Sequence, residues 1–224
     1  MSMTDILHRI GEEARKLSRR EDMPIDLRAY EEAGREPTEP VLNGSGDPAA
    51  QLCIFGRDPG RTEIELGEPF IGKGGQLVRA ELHRALWGEG TPDLTQSIEA
   101  GRHVFWANTV PFKPLGNKAW SARVKRRFAP LIREVLVDVW QGDIAITLGN
   151  HAFFWFGMAD SRNKTALDEY WTQQDRYEAR IDVQLGHKRI TLLPLPHPSP
   201  LNATWHARFP GMLKSRLADI GWSA

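Results

Sequence analysis

Apolar positions along the chain fall into two kinds of pattern. Four short runs are continuous rather than alternating: QLCIFG at 51–56, HVFWANTV at 103–110, DIAITLG at 143–149 and RITLLPLP at 189–196. A strand covered on both faces reads this way, so the runs predict buried parallel strands. Between them, apolar residues recur at helical spacing. Residues 74–88 put Leu77, Leu82 and Leu86 near one stripe, and residues 121–140 carry Val124, Phe128, Leu131, Ile132, Val135, Leu136 and Val139. GNHAFFWFG predicts a short helix starting at Asn150, and 204–220 predicts another, broken near Pro210-Gly211. Near the start, Ile6, Leu7, Ile10, Ala14 and Leu17 make residues 4–18 an amphipathic helix with Thr4 or Asp5 as N-cap. Residues 34–49 are rich in Gly, Pro, Ser, Asn and Asp and predict a loop.

Alternating strands and helices imply an α/β fold, here a three-layer αβα arrangement around a central four-stranded, mostly parallel sheet. The expectation is one domain over residues 1–224, with 1–40 a helical extension packed on it. Ligands of such sheets bind beyond the carboxyl ends of the strands. Those ends carry GRDPG, NTVPFKP, GNHA and PHPSP, which should converge on one cleft.

Composition acts mainly by exclusion. The chain is 41% hydrophobic and 26% charged, as ordinary globular proteins are. No apolar run approaches the roughly 20 residues that span a bilayer, and the first residues lack an apolar signal core. A cytoplasmic protein without a membrane partner is expected. Zero formal net charge argues against a generally basic nucleic-acid binder but leaves room for a local basic face. Arg123 and Lys125–Arg127 form a basic cluster, which is either a solvated helix face or part of such a surface. Arg57, Arg61, Lys73, Lys113, Lys118 and Arg208 fall on the inferred cleft side, where together they would track phosphates. The one cysteine, Cys53, excludes an internal disulfide and any all-cysteine zinc or iron–sulfur site within the chain. The histidines show no metal-ligand spacing, no Walker-type loop is present, and most of the eight tryptophans are expected in the core.

Four residues stand out chemically. Asp58 sits in a Gly- and Pro-fixed turn, where it either caps the turn or offers a carboxylate to a closely approaching ligand. Asn108, at the second strand end, is a turn residue or a reader of a base edge, since its amide both donates and accepts. His197 is clamped between prolines. It is either incidental to a rigid loop or a preorganised donor to an oxygen that gains negative charge. Phe70, in a glycine-rich loop, anchors that loop or stacks on a planar ligand.

The ordered set GRDPG, GEPFIGKGGQLV, NTVPFKP and HPSPL, spanning about residues 51 to 217, resembles the uracil-DNA glycosylase superfamily. The resemblance implies roles. Asp58 would orient water and stabilise the sugar cation, Phe70 would stack on the flipped base, and Asn108 would read the uracil edge. His197 would stabilise the departing uracil at O2, Leu201 would wedge into the duplex, and Ser199 would touch phosphate. Gly56, Arg57, Pro59 and Gly60 would border the substrate, and Lys73, Gly74, Pro198 and Pro200 the DNA. There are departures. GEPFIGKGGQLV is similar to the thermophilic-type iron–sulfur members, which use four cysteines, so here no cofactor is expected and another brace must hold the loops. Those members usually lack an aspartate where Asp58 stands. Gly60 replaces a tyrosine that blocks the thymine methyl in the main enzymes, which resembles the mismatch-specific thymine/uracil branch. The reading is a monofunctional uracil-DNA glycosylase acting as a monomer on single- or double-stranded uracil-containing DNA and leaving an abasic site. Alternatives are a non-catalytic damage-binding member of the same fold and a mismatch-specific thymine/uracil glycosylase. A small-molecule α/β hydrolase is a further rival, but no Gly-x-Ser-x-Gly elbow appears.

Overall fold

Strand β2 (Leu52–Gly56) is buried at every position and lies at the centre of a sheet in the computed structural model, which describes residues 3–36 and 44–222. The other strands are β1 (Ser45–Gly46), β3 (Phe105–Asn108), β4 (Ile144–Leu148), β5 (Ile181–Leu185) and β6 (Lys188–Leu195). Their order across the sheet is β1-β3-β2-β4-β6-β5. β3, β2, β4 and β6 run parallel, and these are the four runs expected from sequence. Two antiparallel edge strands, β1 and β5, make the sheet six-stranded rather than four-stranded. β1 is two residues long and falls inside the predicted loop 34–49, too short to leave a periodic signal. Residues 37–43 of that loop lie outside the described residues. β5 is a half-exposed hairpin partner of β6, joined through Gly186 in the left-handed region at φ 62°.

Successive residues of a strand point to opposite faces, and the core divides accordingly. Cys53 and Phe55 join the face that also holds Phe105, Phe128 and Trp155. Leu52 and Ile54 join the other, with Val78, Leu82, Trp106 and Leu213. The helices covering these faces are α1 (Met3–Ser18), α2 (Leu27–Glu32), α3 (Arg61–Leu66), α4 (Lys73–Trp87), α5 (Leu94–Gly101), α6 (Ala122–Glu134), α7 (Asn150–Phe153), α8 (Trp155–Ala159), α9 (Lys164–Trp171), α10 (Ala203–His206) and α11 (Phe209–Asp219). α1 buries Ile10 and Ala14 in the first face. Thr4 and Asp5 lie inside its first turn rather than capping it. α6 runs on into a π turn over Val135–Val139. The predicted break in the last helix comes at Ala207–Arg208, upstream of Pro210-Gly211. Pro210 lies in the first turn of α11 because that position needs no N–H donor. Trp106, Trp120, Trp140 and Trp155 are buried, whereas Trp87 is exposed.

This order creates a switch point. From β2 the chain moves to β3 on one side, and from β4 to the β5–β6 hairpin on the other. Connections that diverge from two adjacent strands open a crevice at their carboxyl ends. GRDPG and GNHA leave the sheet there.

Candidate active site

A cleft of about 400 Å³ lies at these strand ends, lined by the 57–63 segment, the start of α4, Leu148 and the 197–201 loop. Asp58 enters it from the turn after β2 with only 4% of its side chain exposed. Arg57 holds it bidentately: Nε donates to Oδ2 at 2.8 Å and Nη2 to Oδ1 at 3.1 Å. Nη2 also donates to the Asn117 carbonyl at 3.1 Å. Burial pushes the Asp58 carboxyl up to about 6, with the Arg57 guanidinium pulling it back. The turn is tied to the end of β3, since the Thr109 N–H donates to the Gly56 carbonyl at 3.0 Å and Thr109 Oγ1 to the Arg57 carbonyl at 2.5 Å.

Glu63 was not singled out from sequence, yet it stitches two loops together. Its carboxylate accepts from the Gly60 N–H at 3.0 Å and the Gly72 N–H at 2.8 Å. A Cβ on Gly60 would stand 2.6 Å from Glu63 Oε2. A side chain at Gly60 would therefore push the flexible end of Glu63 away from the Gly60 N–H. A glutamate at the third position of α3, reaching back to the N–H of the N-cap Gly60, was the available signal.

Gly56, Phe70 and Asn108, expected to border the base, are not among the residues that line the cleft. A Cβ on Gly56 would stand 2.5 Å from Phe70 Cζ and 2.8 Å from Asn108 Oδ1, so the three meet at one point. Asn108 is buried. Phe70 is half-buried, adopts φ 50°, and stacks on Trp106 with ring centroids 5.0 Å apart.

The loop after β6 presents His197. Its Nδ1 accepts from the Ser199 N–H at 3.2 Å, which leaves Nε2 to carry the proton of the neutral ring. His197 is an exposed residue, yet desolvation by the surrounding protein lowers the pKa to about 4, with the charges of Arg57 and His151 adding. Even with that exposure, the direction keeps the ring neutral at pH 7. Asn202 Nδ2 donates to the His197 carbonyl at 3.2 Å, and the Leu201 N–H donates to Ser199 Oγ at 3.3 Å. Gly74 packs on this loop, where a Cβ would lie 3.3 Å from the Pro198 carbonyl. Leu201 stands at the tip, 97% exposed.

The cleft thus gathers Arg57, Asp58, Pro59, Gly60, Lys73, Gly74, His197, Pro198, Ser199, Pro200 and Leu201. Lys125 and His151 approach from α6 and α7, with Nζ and Nδ1 3.4 Å apart. Burial and the Arg57 charge hold Lys125 below its ordinary value, while Asp58 opposes. Lys113, expected to track phosphate, is instead buried and gives Nζ to Asp26 at 2.9 Å and to Asn117 at 2.8 Å. Arg127 pairs with Asp22 at 2.7 Å, so the basic run on α6 is partly neutralised from within the chain.

Cys53 is buried in β2, where burial raises its thiol pKa, and the chain has no other cysteine, so a four-cysteine cluster does not fit. Among the described residues no group of three or more His, Cys, Asp or Glu could hold a metal ion, and no helix is long and apolar enough to cross a membrane.

An α/β sheet thus carries an acid, a neutral histidine and an exposed apolar tip around one cleft. The sequence model of the uracil DNA glycosylase superfamily matches residues 43–221. The chain belongs to that superfamily, and membership supports a DNA glycosylase, a hydrolase of base excision repair that acts on DNA.

Proposed function

We propose that the protein is a monofunctional uracil-DNA glycosylase that acts as a monomer. The observation that carries this reading is the presence of a buried carboxylate, Asp58, and a tautomer-fixed neutral histidine, His197, in the lining of one cleft. An N-glycosidic bond inside a duplex is out of reach, so the base is flipped out at a cost of a few kcal/mol. Leu201 fills the space left in the stack, as apolar wedges do. The base passes Gly56, stacks on Phe70, and pairs its O4 and N3–H with Asn108. Cleavage separates an oxocarbenium-like sugar from a uracil anion. His197 Nε2–H donates to the O2 of that anion, and a donor already in place costs no reorganisation. Ionised Asp58 stabilises the cation and directs water to it. Lys73, Ser199 and the backbone of the 198–200 segment hold the phosphates on either side.

A second reading, removal of thymine mispaired with guanine, is favoured by the missing side chain at Gly60. A base-release assay separates the two. Labelled strands carry uracil alone, uracil opposite A or G, or thymine opposite G, and alkali cuts abasic sites. Cleavage at uracil only is expected. Cleavage at thymine as well assigns the second reading, and no cleavage with tight DNA binding assigns a damage-binding role.

A further inference from the structure

The loop that carries Phe70 is held from beneath by one buried cation. Arg79, on α4, is 1% exposed. Its Nη2 donates to the Pro69 carbonyl at 2.6 Å, its Nε to the Phe70 carbonyl at 3.1 Å and its Nη1 to the Ser97 carbonyl at 2.7 Å. Its guanidinium lies 4.8 Å from the centroid of Trp106, the ring on which Phe70 stacks. Glu68 stands near at 3.6 Å, and the charge of Glu63 is also felt. Glycines clear the space around this arrangement. A Cβ on Gly75 would collide with the Phe70 carbonyl, and one on Gly101 with the guanidinium.

A buried cation is costly unless its donors are met, and an apolar side chain would fill the same core volume without that cost. The geometry gives the charge a task. Phe70 holds φ 50°, a conformation non-glycine residues keep only when their surroundings impose it. A planar, rigid fork of donors fixes the angle at which it grips two successive carbonyls, whereas the rotatable ammonium of a lysine does not. Cation, indole and phenyl ring then form one connected set.

We propose that Arg79 is a positioning residue for base stacking: it fixes the backbone of Phe70 directly and the tilt of its ring through Trp106. This rests on the glycosylase reading above.

The test is a double-mutant cycle on single-stranded uracil DNA with Phe70→Ala and Arg79→Lys, and with Arg79→Gln as a second variant should the lysine fail to fold. Misplacing a group that positions substrate by about 1 Å costs on the order of 100-fold in rate. Arg79→Lys should therefore lower kcat/KM by roughly 10- to 100-fold with an unchanged pH profile. In the Phe70→Ala background the same change should cost less than about threefold, because the ring it positions is gone. Equal losses in both backgrounds would overturn the proposal in favour of a purely structural role. Hydrogen exchange keeps this test separate from the glycosylase reading. If the wild-type protein releases no base, that reading fails. The clamp is then judged by whether the variant speeds exchange only at residues 68–76, as expected, or across α4 and α5, which would overturn it.

Discussion

Arg57 grips Asp58 through both carboxylate oxygens, at 2.8 and 3.1 Å, and the two residues are adjacent in sequence. The pair answers why a cation and an acid share one glycine-flanked turn. Burial alone favours a neutral carboxyl, and the guanidinium returns part of the charged form. The balance leaves the acid titrating at about 6, near the pH at which it would have to work.

The acid limb of kcat/KM against pH should therefore lie near 6 and belong to Asp58. Activity rises with pH through that value as the carboxylate ionises. His197 is shifted the other way, below its ordinary value, and so should not set this limb. Stability runs the other way. Between about 4 and 6 the folded state keeps a proton that the unfolded chain has lost, so stability falls as pH rises, by on the order of 3 kcal/mol in total for this group. Asp58→Asn should lose base release and retain DNA binding. An unshifted limb in that variant would remove Asp58 from the mechanism.

Arg57→Met removes the cation but keeps most of the packing. The Asp58 pKa should rise further, moving the acid limb above its wild-type position and lowering activity most at neutral and acidic pH. Recovery at higher pH is the signature. A loss independent of pH would instead mean that Arg57 contacts substrate.

His197→Ala should lower kcat by roughly 10² to 10³, the usual cost of one preorganised oxyanion donor. Its KM should change little, since the donor acts on charge that appears only during cleavage. Single-turnover base release measures this directly, and an unchanged rate would sink the assignment.

Glu63→Gln keeps the shape of the side chain but leaves one acceptor oxygen for two N–H groups, so one of the bonds to Gly60 and Gly72 is lost and the other loses its charge. Stability should fall by about 1 to 3 kcal/mol, with a further loss of activity because the loops of Asp58 and Phe70 are then held less firmly. Thermal melting and turnover, measured together, check this. A variant that melts like wild type and turns over normally would show that the stitch is idle.

Much of this site was legible because strand ends converge by topology. Four apolar runs of the right length made GRDPG, NTVPFKP, GNHA and PHPSP neighbours before any contact was known. Residues whose role depends on a distant partner were not legible. Lys113 looks like a phosphate binder at a strand end until Asp26, 87 positions away, is seen to hold it. Arg79 reads as one charged position of an amphipathic helix. The available clue is that Arg79 follows Gly75 by four and precedes Leu82 by three, which places a charge on the buried stripe. The edge strands escaped because β1 has two residues and β5 only partial burial.

Leu201 separates duplex from single-strand chemistry. A side chain 97% exposed gains nothing for the fold, so its truncation should leave the melting temperature unchanged. In a duplex the flipped base leaves a gap, and a wedge that fills it slows the return. A single strand offers no such stack. Leu201→Ala should therefore lower kcat/KM on uracil opposite A severalfold or more. Uracil opposite G, already mispaired, should suffer less, and single-stranded uracil should be nearly unaffected. Activities on the three substrates, compared as ratios to wild type, test the order directly. Equal loss on all three would mean that Leu201 contributes to binding the strand in general, and equal retention would mean that the exposed tip never enters DNA.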